Sequence, residues 1–217
     1  MVQIIPVINV KTGKKFKERL HLLHLLSDFS GFFQIDVADG HFTPWKNWNA
    51  PAELKKIKKI QEQFELHLMV HNPEVVLPLW LETKPKRIIV HLETIKNFSL
   101  IEKMCREAKV ELGLAIKPDT PIEKLNDYLK NLNFVLVLGV FPGPSGQKFQ
   151  WYVLDKIKEL RRKYPKLNIE IDGGVNEETI LKAIENGANI LAIGSAIFED
   201  KNQKERIKYF KEIINSK

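Results

Sequence analysis

Short β-branched runs alternate along this chain with longer amphipathic ones. The short runs predict strands near Ile4–Val10, Phe32–Ala38, Phe64–Val70, Arg87–Glu93, Glu111–Lys117, Phe134–Val140, Asn168–Asp172 and Ile190–Gly194. The helical pattern falls on Lys15–Leu26, Ala52–Gln61, Leu100–Ala108, Pro121–Leu132, Tyr152–Tyr164, Glu177–Asn186 and Gln203–Asn215. Pro and Gly punctuate the junctions, as at Thr43-Pro44, Asn72-Pro73, Lys117-Pro118 and Gly143-Pro144.

Strand-helix alternation argues for a parallel sheet, and eight repeats argue for its closure into a (β/α)8 TIM barrel with short loops. An open doubly wound sheet is the runner-up. Its central strands, covered by helices on both faces, read as continuous apolar runs. Here several strands alternate instead. Ile35 and Val37 oppose Gln34, Asp36 and Ala38; Leu66, Leu68 and Val70 oppose Glu65, His67 and Met69; Ile169 and Ile171 oppose Asn168, Glu170 and Asp172. Apolar toward helices and polar into a barrel is the simplest arrangement. With 217 residues and no linker or shift in composition, a single domain over 1–217 is expected.

Composition narrows the class. Apolar residues make up 44% and charged residues 28%, which excludes disorder and low complexity. Cys105 is the only cysteine, so neither a disulfide within the chain nor a Cys-rich metal module can form, and a buried structural thiol is expected. No apolar run approaches the ~18–20 residues of a membrane span. Met1–Pro6 lacks a charged segment followed by a long apolar one, so a cytoplasmic protein without a signal peptide is expected. The net charge of +7 comes from lysines spread along helical segments, densest at Lys55, Lys56, Lys58 and Lys59. That reads as a solvated face, not a nucleic-acid surface.

Barrel active sites lie at the C-terminal ends of strands. The inward polar residues nearest those ends are Asp36, His67, His91, Lys117 and Asp172. Glycine-containing turns follow the late strands at Pro142–Gly146, Asp172–Val175 and Gly194-Ser195. Glycine lets backbone N–H groups approach an anion closely, and loops after strands seven and eight frequently hold phosphate. The residues alone suggest an enzyme for a small phosphorylated molecule, with acid/base or metal chemistry opposite the phosphate. Phe42, Trp45 and Trp48 in one loop, and Phe141 and Trp151 in another, suggest exposed aromatics of a lid or a subunit interface.

The run Gln34–Phe42 resembles the strand-two signature of ribulose-phosphate 3-epimerases. His67–Val70 with Asn72-Pro73, His91–Glu93, Gly113–Pro118, Pro142-Gly143 with Gly146–Phe149, Asp172–Val175 and Gly194–Phe198 resemble that family's motifs in the same order. The resemblance implies interconversion of D-ribulose 5-phosphate and D-xylulose 5-phosphate by 1,1-proton transfer through an enediolate. It implies Asp36 and Asp172 as the two acid/base groups, and a divalent metal (Zn, Mn, Mg or Fe) held by Asp36, His67 and Asp172. Substrate phosphate would lie against Gly143, Ser145, Gly146, Gly173, Gly174, Gly194 and Ser195, with His91 and Lys117 as further site residues. The implied partners are a small sugar phosphate and further copies of the chain in a homo-oligomer, with neither nucleic acid nor membrane.

The chain departs from the family pattern inside the site. Gln34 stands where the family has a metal-ligating histidine, and Val7 where it has a serine. Pro144, which offers no backbone donor, enters the phosphate loop. Ala38 and Leu138 occupy positions where methionine is common, and Met69 is kept. Gln34 could ligate a metal through its amide oxygen, donate a hydrogen bond to substrate, or fill a site without catalysis. The metal would then be weakly held or dispensed with. The alternatives to an epimerase are a related isomerase or lyase on another sugar phosphate, and a non-catalytic phosphate-binding barrel.

Overall fold

The computed structural model describes residues 2–25, 32–60 and 63–215. Eight strands succeed one another in chain order around a closed barrel: β1 Gln3–Ile8, β2 Phe33–Ala38, β3 Phe64–Met69, β4 Arg87–His91, β5 Glu111–Ile116, β6 Phe134–Leu138, β7 Asn168–Asp172 and β8 Ile190–Ile193. The open-sheet alternative is thereby excluded. The helices are α1 Gly13–His24, α2 Pro51–Leu54, α3 Pro73–Leu81, α4 Phe98–Ala108, α5 Val153–Lys163, α6 Ile180–Glu185, α7 Ser195–Phe198 and α8 Gln203–Asn215. Among the described residues no helix is long and apolar enough to cross a membrane.

Contacts divide the chain into two compact units, Ile8–Leu114 and Met1–Val7 with Ala115–Lys217. In the first, β2, β3 and β4 run parallel, with Asp36 level with His67 and His67 level with Ile89. Every residue of β2 and β3 is buried, on both faces. The outward Ile35, Val37, Leu66 and Leu68 supply apolar core, and the inward face buries Gln34, Asp36, Glu65 and His67. Buried charge needs partners. Arg87 supplies them low on the strands, bonding Glu65 Oε2 at 2.7 Å and Glu111 Oε2 at 2.8 Å. In the second unit β6, β7, β8 and β1 run parallel, with Leu138 level with Asp172 and Asp172 level with Ala192.

Four helical expectations change. The helix expected over Ala52–Gln61 stops at Leu54 and resumes only as a 3₁₀ turn at Lys58–Ile60, where Lys55, Lys58 and Lys59 would repel at helical spacing; Gln61, like Leu26 of the expected first helix, lies outside the described residues. The helix expected over Pro121–Leu132 shortens to a 3₁₀ turn at Ile122–Leu125 followed by turns, where Asn126, Asp127 and Asn131 bring side chains that compete for backbone hydrogen bonds. The other two changes are additions. Helix α3 is apolar around most of its surface and carries Pro78, so no helical period announces it. Helix α7 is a single turn.

Candidate active site

The unit Ile8–Leu114 assembles a buried polar network at the C-terminal ends of its strands. Asp36 lies near the end of β2, directly across from His67 on β3. Its carboxylate accepts from Asn9 Nδ2 at 3.0 Å on one oxygen and from Gln34 Nε2 at 2.7 Å on the other. His67 Nδ1 lies 3.2 Å from Asp36 Oδ1, and His67 Nε2 lies 2.9 Å from His91 Nε2. His91, the last residue of β4, places Nδ1 3.1 Å from Glu93 Oε2. Gln34, His67 and His91 are fully buried and Asp36 is 6% exposed.

The surrounding loop is built to hold this network still. Asn47 Oδ1 accepts from the Ala38 N–H at 2.7 Å, while its amide donates to the Asp36 carbonyl at 2.8 Å and to Asn9 Oδ1 at 3.2 Å. A side chain thus pairs with the backbone of the last residues of β2 as a neighbouring strand would. Trp45 donates to Asn9 Oδ1. Asp39 accepts from the N–H groups of His41, Phe42 and His71, pinning the loop after β2 to that after β3. Burial by itself would raise the Asp39 pKa, but those three N–H groups and nearby His41 hold it below the usual carboxylate value. The Phe42 ring packs 4.7 Å from that of His91. Trp48, expected among exposed loop aromatics, is instead buried in a stack with Phe16 at 4.1 Å. Trp45 is half-buried under Lys11, whereas Phe141 and Trp151 are exposed.

In the other unit, Asp172 ends β7 and is 7% exposed. Gly173 and Gly174 follow at φ +94° and +70°, and a methyl group on Gly173 would meet Val140 Cγ2 at 2.5 Å. The turn is locked by Thr179, whose hydroxyl donates to the Gly174 carbonyl at 2.9 Å and accepts from the Asn176 N–H at 2.9 Å. Gly194 and Ser195 open α7, and a methyl group on Gly194 would meet Val7 Cβ at 3.6 Å. The turn holding Gly143, Ser145 and Gly146 is closed by the Gln147 amide, which donates to the Phe141 and Pro144 carbonyls. Lys117, which follows β5, holds its ammonium 3.7 Å from Asp119, and its side chain is 30% exposed. Cys105 is buried, which pushes its thiol pKa up to about 12.

Asp36, His67 and Asp172 each offer one ligand atom, and the three atoms lie within 4.8 Å of one another. Two carboxylate oxygens and an imidazole nitrogen form a donor set that suits a divalent first-row cation or Mg²⁺. Like charges at such a distance repel when buried, and a cation relieves that cost. The residues present therefore fit a divalent metal. Gln34 turns its amide N–H, not its oxygen, toward Asp36. Asn9, Asn47 and Glu93 belong to the same network and were not among the expected site residues; Glu93 carried a signal as part of the His91–Glu93 motif, whereas Asn9 and Asn47 are only polar residues beside strand ends.

The family model named Ribulose-phosphate 3 epimerase family matches residues 12–198. A ribulose-phosphate 3-epimerase of Bacillus subtilis is 35% identical over 189 residues, covering 84% of this chain and 85% of the relative. One of Eremothecium gossypii is 33% identical over 195 residues, covering 84% and 81%. Among solved structures, 3-hexulose-6-phosphate synthase from Salmonella typhimurium superposes with a TM-score of 0.71 at 12% identity, covering 99% of each chain, a likeness of fold alone.

Proposed function

The chain belongs to the ribulose-phosphate 3-epimerase family, a family of divalent-metal-dependent epimerases, and we propose that it interconverts D-ribulose 5-phosphate and D-xylulose 5-phosphate at C3. The observation that carries this reading is the buried Asp36, His67 and Asp172 group. The C3 proton is weakly acidic because it lies beside the C2 carbonyl. One aspartate, ionised, removes it from one face and leaves an enediolate; the other, protonated, returns a proton to the opposite face. After a turnover the two have exchanged protonation states, and the reverse reaction starts from that state. A divalent cation held by Asp36, His67 and Asp172 supplies Lewis-acid polarisation of the C2 oxygen.

Gln34 orients Asp36 in this reading. Its N–H holds one carboxylate oxygen while Asn9 holds the other, which restricts rotation of the group that moves the proton. Val7 contributes an apolar wall beside Gly194. The substrate phosphate lies against the N–H groups of Gly173, Gly174, Gly194 and Ser195, helped by the Gly143, Ser145 and Gly146 turn, and His91 acts through His67. Zinc, manganese, magnesium and iron(II) are the candidate cations. The protein works as one domain over 1–217, in the cytoplasm, as a homo-oligomer.

The test is to incubate the protein with D-ribulose 5-phosphate and each of those four cations, and to follow D-xylulose 5-phosphate by a coupled enzyme assay. Conversion to an equilibrium mixture, abolished in Asp172→Asn, is expected. No conversion with any cation would overturn the reading and leave a related isomerase or lyase on another sugar phosphate, or a non-catalytic phosphate-binding barrel.

A further inference from the structure

The proton inventory of the two buried imidazoles singles out a residue outside the Asp36, His67 and Asp172 cluster. Glu93 lies in a 3₁₀ turn, Leu92–Thr94, that begins as soon as β4 ends at His91. The turn is fastened by the Thr94 hydroxyl, which donates to the His91 carbonyl at 3.0 Å. It brings Glu93 Oε2 within 3.1 Å of His91 Nδ1. An ionised carboxylate has no hydrogen to give, so His91 Nδ1 is the donor. For two neutral rings the rest follows. His91 Nε2 is left as an acceptor. His67 Nε2, 2.9 Å away, must carry the hydrogen of the His67 ring. His67 Nδ1 keeps its lone pair, and it points at Asp36 Oδ1 across 3.2 Å.

Two acceptors facing each other at that distance repel, unless a cation lies between them or beside both. His67 also belongs to the cluster of candidate ligands. We propose that Glu93 is the positioning residue of this site: through His91 it fixes the hydrogen of His67 on Nε2 and turns the Nδ1 lone pair toward a divalent cation bound beside Asp36. The inference rests on the reading that Asp36, His67 and Asp172 hold such a cation. The path is three side chains long, Glu93 to His91 to His67, and both rings on it are fully buried, so water cannot readily substitute for a missing partner. Partners that fix the tautomer of a metal-binding histidine are commonly worth about 10–100-fold in metal affinity.

The experiment measures zinc affinity by competition with a chromophoric chelator, for wild type, Glu93→Gln and Glu93→Met, with folding checked by circular dichroism. Glutamine keeps an acceptor oxygen and should bind zinc nearly as wild type does. Methionine keeps the length of the side chain but loses the acceptor, and should weaken zinc by about 10–100-fold. Long-range ¹H–¹⁵N spectra of the zinc-loaded wild type should show His91 protonated on Nδ1 alone and His67 on Nε2 alone. Wild type that binds zinc while Glu93→Met binds it equally well overturns this inference and leaves the metal site standing. A zinc-loaded spectrum with the His67 hydrogen on Nδ1, or with His91 protonated on Nε2, does the same. Wild type that binds no zinc overturns the metal reading and this inference with it.

Discussion

Replacing Asp36 by asparagine separates what the carboxylate does for the fold from what it does for chemistry. Both of its oxygens accept hydrogen bonds from amide N–H groups, Asn9 at 3.0 Å and Gln34 at 2.7 Å. Asparagine has one oxygen and one NH₂, so one of those donors must face another donor in a buried site. A bond to a charged acceptor is lost and a buried polar group loses its partner, together costing about 1–3 kcal/mol. Gln34→Glu alone is harmful for the complementary reason, since it sets a second carboxylate against Asp36. The double variant restores the match: the asparagine NH₂ donates to the introduced glutamate, and the asparagine oxygen accepts from Asn9. Urea unfolding of the four proteins should therefore give a coupling of roughly 2 kcal/mol, the double variant being more stable than the sum of the singles predicts. Catalysis should not return with stability. An amide cannot shuttle the C3 proton, so both proteins carrying Asp36→Asn should be slower by about 10²–10⁴-fold, or roughly 3–5 kcal/mol of transition-state stabilisation. Stabilities additive to within about 0.5 kcal/mol would refute the network, and a double variant with wild-type turnover would refute the role of Asp36.

Gln34→His places an imidazole two residues before Asp36 on the same strand face, and zinc retained after dialysis should rise, because zinc prefers nitrogen to an amide; unchanged zinc content would show that position 34 does not reach the cation. Gly173→Ala forces a side chain into φ +94° with its methyl 2.5 Å from Val140 Cγ2, so it should lose about 1–3 kcal/mol in denaturant unfolding and weaken inhibition by inorganic phosphate. Gly146→Ala, with open space around its methyl position, should lose less; equal losses would contradict the account of the turn. The Asp39 pKa is lower in the folded chain than its ordinary value of 3.8. Its contribution to stability is therefore present above that value and vanishes as the pH falls through the lower folded one. The stability gap between wild type and Asp39→Asn should narrow in acid, and a gap independent of pH would show that the loop does not depend on the charge.

The barrel was legible because strands alternate with helical segments eight times and because β2, β3 and β7 carry an alternation of polar and apolar residues. Gln34, Asp36 and His67 are buried, where a period of two placed them on one inward face; that Asp36 lies level with His67 is a matter of strand register, which alternation leaves open by steps of two. Helix α3 was hidden because its sides are too uniformly apolar for a period, and because Pro78 reads as a breaker. The lysine-rich helix failed for the opposite reason, since its pattern was sound but its like charges fell at adjacent turns. Within the site, the link between Glu93 and His91 was invisible because it depends on where β4 stops. An extended strand through Glu93 would leave the two side chains parallel, whereas the turn at Leu92 curls the carboxylate back onto the ring.

The central claim is that this chain removes and returns the proton at C3 of a pentulose 5-phosphate. Incubation with D-ribulose 5-phosphate in D₂O, followed by ¹H NMR, tests it most directly. Deuterium should enter C3 of both the remaining substrate and the D-xylulose 5-phosphate formed, with no label at the other carbons, and this exchange should slow by about 10²–10⁴-fold in Asp36→Asn and Asp172→Asn. Product carrying a C3 proton in D₂O, or no exchange at C3 with any of the four cations present, would contradict the account.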